Sequence, residues 1–177
     1  MPSKNNYSKY NNSRRPRQRR RLMPLPESKY FNNNIIHSGI SESTTSLTLI
    51  ESGTSVENRV GRKIKLKSLM MNFRVTGTGG PTRCILYVPK QANQDISLPS
   101  IESPTDNDQF WILRDWYVAD NIDNNPGVWT HTFPMGLNVE YDGTASTAVT
   151  RNPVKLYLTS GGNTTINGHT KVWYTDV

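Results

Sequence analysis

Lys63-Ile64-Lys65-Leu66-Lys67-Ser68-Leu69-Met70-Met71-Asn72-Phe73-Arg74-Val75-Thr76 is the longest strand-like run in the chain. In residues 63–67, Ile64 and Leu66 face one way and the three lysines the other. From Leu69 onward the apolar set moves to odd positions: Leu69, Met71, Phe73 and Val75. A strand alternates with period two, so parity cannot change without an extra residue. The spacing therefore predicts a β-bulge or break near Ser68. On either side of it the pattern is that of a strand with one face in a core.

Shorter runs of the same texture lie on both sides, at 45–50, 83–88, 111–119, 128–133, 137–141, 154–159 and 170–175. Val154, Leu156 and Leu158 alternate with Lys155 and Tyr157. Val172 and Tyr174 alternate with Lys171, Trp173 and Thr175, so both runs read as half-buried strands. Turn residues separate the runs, as in Gly77-Thr78-Gly79-Gly80-Pro81. No link looks like an obligatory helix, although 91–103 or 105–110 has room for a short one. Eight short strands with turn signals argue for an all-β fold, an antiparallel sandwich or barrel.

Charge divides the chain more sharply than hydropathy does. The whole sequence holds 21 Lys and Arg against 14 Asp and Glu, a formal +7. Residues 1–30 carry nine of the basic residues and only Glu27, which is +8; the remaining 12 basic and 13 acidic residues give the rest −1. Residues 1–34 hold mainly Asn, Ser, Arg, Lys and Pro, too little apolar surface to offset the entropy of ordering. The expected organisation is a disordered basic arm over 1–34 and one β domain over 35–177.

Within the arm, Arg14-Arg15-Pro16-Arg17-Gln18-Arg19-Arg20-Arg21 places six guanidiniums in eight residues. They repel one another, and each can pair bidentately with phosphate oxygens and release condensed counterions. Arg14, Arg15, Arg17, Arg19, Arg20 and Arg21 are therefore the primary candidates for nucleic-acid binding. The same run reads as a nuclear localisation signal. A second basic group is Arg59, Arg62, Lys63, Lys65 and Lys67, of which Lys63, Lys65 and Lys67 occupy one strand face and are candidates to continue the nucleic-acid site.

Other chemistry is weakly signalled. Cys84 is the single cysteine, which excludes an intrachain disulfide and a Cys-based metal cluster. The apolar runs are too short for a transmembrane helix, and the N-terminus lacks the apolar core of a secretory signal. Acids gather at Asp106, Asp108, Asp115, Asp120 and Asp123, where turn formation is the default role. His37, His131 and His169 are isolated, and no nucleophile elbow or P-loop is present, so no enzyme, metal or cofactor is expected. Trp111, Trp116, Trp129 and Trp173 suit core or interface anchors better than sugar platforms.

Two segments resemble a known group. Arg59-Val60-Gly61-Arg62-Lys63-Ile64, entering the long strand behind a basic arm, is similar to the R-x-G-x-x-I segment of coat proteins from small circular single-stranded DNA (CRESS-DNA) viruses, circovirus-like and satellite-like capsids among them. The ending Gly168-His169-Thr170-Lys171-Val172-Trp173-Tyr174-Thr175-Asp176 resembles their last strand. The resemblance implies a single eight-stranded antiparallel jelly-roll sandwich, an icosahedral shell of 60 subunits, an inward arm, and assembly in the host nucleus followed by residence in the virion. The partners it implies are further copies of the chain, single-stranded nucleic acid, a nuclear import receptor and a cell-surface receptor, with no membrane insertion. An arginine tail reads charge and not the 2′-hydroxyl, so the residues themselves leave DNA and RNA open. Polar loops at 91–107 and 121–127 are candidates for host contact. The alternatives are a nonviral nucleic-acid-binding β-barrel and a jelly-roll carbohydrate-binding protein.

Overall fold

The structure, a computed structural model, describes residues 27–77, 80–118, 127–144 and 146–177. It is all-β, with eight strands and no helix among the described residues. The strands are β1 (Lys29–Ser46), β2 (Lys63–Gly77), β3 (Thr82–Pro89), β4 (Phe110–Val118), β5 (Gly127–Pro134), β6 (Asn138–Tyr141), β7 (Val149–Arg151) and β8 (Lys155–Asp176). Every strand pairing is antiparallel.

Two very long strands, β1 and β8, organise the rest. They pair along their lengths, with register shifts between His37 and Ile40 and again between Ile40 and Glu42. Gly39, at φ 65°, supplies the left-handed residue in this bend. The shifts split both strands into halves. Residues 164–176 of β8 lie between residues 29–37 of β1 and β2, and β5 adds to the far side of β2. Residues 155–160 of β8 lie between residues 42–46 of β1 and β3, and β4 adds to the far side of β3. The result is one continuous eight-stranded sheet whose halves, the β1–β8–β2–β5 layer and the β1–β8–β3–β4 layer, each hold four strand segments, with β6 and β7 extending from the start of β2.

One core joins the layers. Leu69, Met71, Phe73 and Val75 of β2 pack in the same cluster as Cys84, Leu86 and Val88 of β3 and Leu156, Leu158 and Val172 of β8. Each such fully buried side chain contributes about 1.5–3 kcal/mol. Aromatic rings close the side between β4 and β5: Trp116 stacks on Trp129 at 4.8 Å, and Trp129 stacks on Phe73 at 5.2 Å. Trp116 and Trp129 thus serve the core, as anchors rather than platforms.

The irregularity expected near Ser68 is present. Leu66 pairs with Tyr174 and Ser68 with Trp173, which leaves Lys67 as the extra residue. Other expectations need correction. β1 begins at Lys29, inside the segment read as arm. Its Asn- and Ser-rich sequence is ordered by backbone pairing to β8, with Ile35 as its deeply buried apolar anchor. The strand expected at 45–50 is over by Ser46; Leu47 and Ile50 are buried from a loop instead. Residues 91–103 and 105–110 form no short helix, and Pro99 interrupts any such run in the first of them. Residues 155–160 of β8 are not half-buried: Tyr157 sits in a second cluster with Ile85, Tyr87, Ile96 and Phe110. The loop between β3 and β4 supplies Ile96 and covers that outer face.

Candidate nucleic-acid interface

The register fixes which side chains share the outer face of the β1–β8–β2–β5 layer. Four cross-strand rows follow from the pairings. Val128, Arg74, Asn167 and Ile36 form one; Thr130, Asn72, His169 and Asn34 the next; Thr132, Met70, Lys171 and Asn32 the third; Pro134, Ser68, Trp173 and Tyr30 the last. Lys67 bulges out beside Ser68, and Lys65 follows on the same side. At ordinary strand spacing and rise the four rows cover roughly 15 Å by 20 Å. The face carries Lys65, Lys67, Arg74 and Lys171, and no Asp or Glu occurs in these rows.

Lys65, Lys67 and Arg74 are exposed. None of these or Lys171 pairs with a carboxylate among the described residues. Lys63 differs: its Nζ lies 3.0 Å from Glu140 Oε1, and Arg151 approaches the same oxygen at 3.9 Å. The hydrogen bond from Lys63 holds the Glu140 carboxyl below its ordinary range, with Arg151 adding to the effect. Of the expected strand site, then, Lys65 and Lys67 are exposed and meet no carboxylate among the described residues, while Lys63 is engaged by Glu140. Arg14, Arg15, Arg17, Arg19, Arg20 and Arg21 lie outside the described residues.

Arg59 falls out of the basic group altogether. It is 0% exposed. Its Nε donates to the Ile50 carbonyl at 3.1 Å, Nη1 donates to Gly61, and Nη2 donates to Ser146 and, at 3.5 Å, to Gly143. The guanidinium also stacks 3.8 Å from the centre of the Tyr141 ring. A side chain with its donors used and its cation covered by a ring is a structural tie, not a phosphate ligand. The neighbouring Val60 amide donates to Asp176 Oδ1 at 2.9 Å, and Asp176 pairs with Lys29 at 2.9 Å. The 59–64 and 168–176 segments that carry the capsid resemblance therefore meet, and they lock the start of β1 to the end of β8.

Arg74, Lys171, Trp173 and Tyr30 are members of the face that the sequence did not single out as a site. The signal for Arg74 was present, since the parity change at Ser68 moves even positions outward. Lys171 and Trp173 were legible as sharing one face of their strand. Which strands lie beside one another is the information that alternation lacks.

The opposite layer contrasts in charge and cover. Asp95, Glu102, Asp106 and Asp108 lie in its covering loop, and Asp115 on β4. Its buried cations are paired, Arg83 with Asp115 at 2.6 Å and Lys155 with Asp95 at 2.6 Å. Asp106 takes the Asp108 amide at 2.9 Å, the turn role expected of it. Asp120 and Asp123 lie outside the described residues. Of the histidines, His37 sits between the hydroxyls of Thr45 (2.9 Å) and Ser43 (3.1 Å), and burial lowers its pKa. No protein-family model matches the chain, and no curated protein matches its sequence.

Proposed function

We propose that this protein is the capsid subunit of a CRESS-DNA-type virus, a jelly-roll sandwich that assembles into a small icosahedral shell. It packages single-stranded nucleic acid through its arginine arm and the cationic face of the β1–β8–β2–β5 layer. The observation that carries this reading is the one-sidedness of the body. The cationic face, whose four rows hold no Asp or Glu, lies on the layer whose edge, residues 29–37 of β1, is continuous with the arginine-rich segment. Asp95, Glu102, Asp106, Asp108 and Asp115 lie on the other layer or in its covering loop, and the acids at the margin of the cationic face are engaged, Glu57 by Asn32, Glu140 by Lys63 and Asp176 by Lys29. A shell wall needs this division, because its inner surface meets polyanion and its outer surface meets solvent. Two layers of four strand segments also suit a jelly roll.

Electrostatics supplies an assembly mechanism. Sixty arms of +8 bring about 480 charges into one shell, able to neutralise on the order of 500 phosphates. Nucleic acid relieves the repulsion between arms, and subunit contacts close the shell. The arginine run doubles as the nuclear localisation signal, and no catalytic step is required of the chain.

A second reading has one specific observation in its favour. Tyr30 and Trp173 sit among the cations on one outward face, the combination a nonviral single-strand-binding module uses. Assembly separates the two. The full chain is expressed and examined by electron microscopy and light scattering, and the nucleic-acid content of purified material is read from its absorbance. Uniform closed particles carrying nucleic acid, with most of that cargo lost when residues 1–21 are deleted, are expected. A stable monomer at every salt and pH tried contradicts the capsid reading and favours the module.

A further inference from the structure

The cationic face has a feature that charge neutralisation does not require. Tyr30 and Trp173 are direct cross-strand partners on β1 and β8. Lys171, two residues from Trp173 on the same face, lays its Nζ 4.1 Å from the centre of the Tyr30 ring and 5.3 Å from that of Trp173. A lysine that serves only to attract phosphate is best hydrated and mobile. Folding it across two rings restricts a flexible stem for a cation–π gain of modest size at such a site. The ammonium covers ring surface that has no other aromatic partner among the described residues: the ring–ring contacts there involve Phe73, Tyr87, Phe110, Trp116, Trp129, His131 and Phe133.

We propose that Tyr30 and Trp173 form a base-stacking platform for single-stranded nucleic acid, with Lys171 as its movable cover. On binding, the Lys171 ammonium leaves the rings for a phosphate, and an unpaired base takes the vacated ring face. Lys67, bulged out beside the Ser68 partner of Trp173, lies on the other side of the platform and receives a flanking phosphate. Asn32, the β1 partner of Lys171, donates its amide nitrogen to Glu57 Oε1 at 2.9 Å, which leaves its amide oxygen to accept from base edges. Duplexes present phosphates but keep their base faces stacked, so the platform selects single strands and tolerates any base sequence. This inference rests on the face being a nucleic-acid interface.

The test follows tryptophan fluorescence of the full chain, stripped of nucleic acid at high salt and then titrated at moderate salt. Three probes are used: an oligothymidylate, a duplex of equal length, and inorganic polyphosphate. Oligothymidylate is expected to quench the emission, and Trp173→Phe is expected to lose at least half of that quench. Duplex and polyphosphate are expected to bind with little quench in either protein. Equal quenching by oligothymidylate and polyphosphate, or an unchanged quench in Trp173→Phe, overturns the proposal. If Trp173→Phe fails to fold, Tyr30→Leu tests the platform from the other strand, with a loss of quench again expected. Particle formation reports separately on the capsid reading. Particles with a quench indifferent to Trp173 sink the platform and spare the capsid; monomers with a Trp173-dependent quench do the opposite.

Discussion

The two outer faces of this β fold are built from halves of the same two strands, yet they have opposite fates. Residues 164–176 of β8 present Asn167, His169, Lys171 and Trp173 outward on an uncovered face. Residues 155–160 present Lys155 and Tyr157 to a loop that buries them. The apolar loop residues Ile96 and Leu98 explain the cover, and Arg83 fastens it by donating to the carbonyls of Ile101 at 2.9 Å and Ser103 at 2.6 Å. On the covered layer, Arg83 and Lys155 are paired and structural. On the bare layer, Lys65, Lys67, Arg74 and Lys171 meet no carboxylate among the described residues, while Lys63 and Lys29 at its margin are paired with Glu140 and Asp176. Cover by that loop and proximity to a carboxylate, more than residue type, separate the paired cations from the unpaired ones.

The contrast breaks if the bare face does not bind. Replacing Lys65, Lys67, Arg74 and Lys171 together by Ala is expected to flatten the salt dependence of single-strand binding. Each lost phosphate contact removes roughly 0.7 from the slope of log K against log salt, so about 3 in all. Replacing Lys90 and Arg114, on the other layer, is expected to leave the slope unchanged. Equal effects from the two sets would show that only total charge matters.

The covered face should instead report in stability. Arg83→Ala removes the tie between loop and β4 and leaves its carbonyl partners unsatisfied. Because Asp115 is 31% exposed, the cost should fall below that of a fully buried pair, at about 2 kcal/mol in urea unfolding. Nucleic-acid affinity should be unaffected. A loss of affinity at unchanged stability would mean that the faces are assigned the wrong way round.

Within the basic strand a smaller difference is expected. Lys63→Ala should weaken single-strand binding less than Lys67→Ala, because Lys63 is held by Glu140 and Lys67 is not. Equal losses in a filter-binding or anisotropy titration would mean that the Lys63–Glu140 pair opens freely to phosphate.

The smallest effect lies at the bend between the two halves of β1. Burial lowers the pKa of His37, so the unfolded state binds a proton that the folded state resists. Stability should therefore rise with pH through the window below the ordinary histidine value of about 6.5, and fall on acidification. His37→Gln should remove that part of the pH dependence of the melting temperature. A slope identical to that of the original chain below pH 6.5 would count against it.

Much of this contrast was legible in residues 63–76. The parity change marks the bulge, and the alternation marks which side chains point outward. The β1 start at Lys29 was not legible, because Asn32-Asn33-Asn34 and the serines that follow have little strand character of their own. They are ordered by the ladder of β8, a partner more than a hundred residues away. The burial of Tyr157 depends on Ile96 and Leu98 from a loop, which no period-two pattern in β8 can encode. Arg59 looked like one more cation beside Arg62 and Lys63. Its carbonyl partners come from two loops, β1–β2 and β6–β7, so only the fold reveals it as a tie.

Orientation in the assembled shell is the decisive observation. In a reconstruction of purified particles by electron cryomicroscopy, the β1–β8–β2–β5 face with Lys65, Lys67, Arg74 and Lys171 should line the interior against nucleic-acid density. The loop over β3, β4 and residues 155–160 of β8 should then lie toward the outside. Particles with the 91–109 loop inward, or an inner wall of cations with no density against it, would contradict the assignment of this face to the genome.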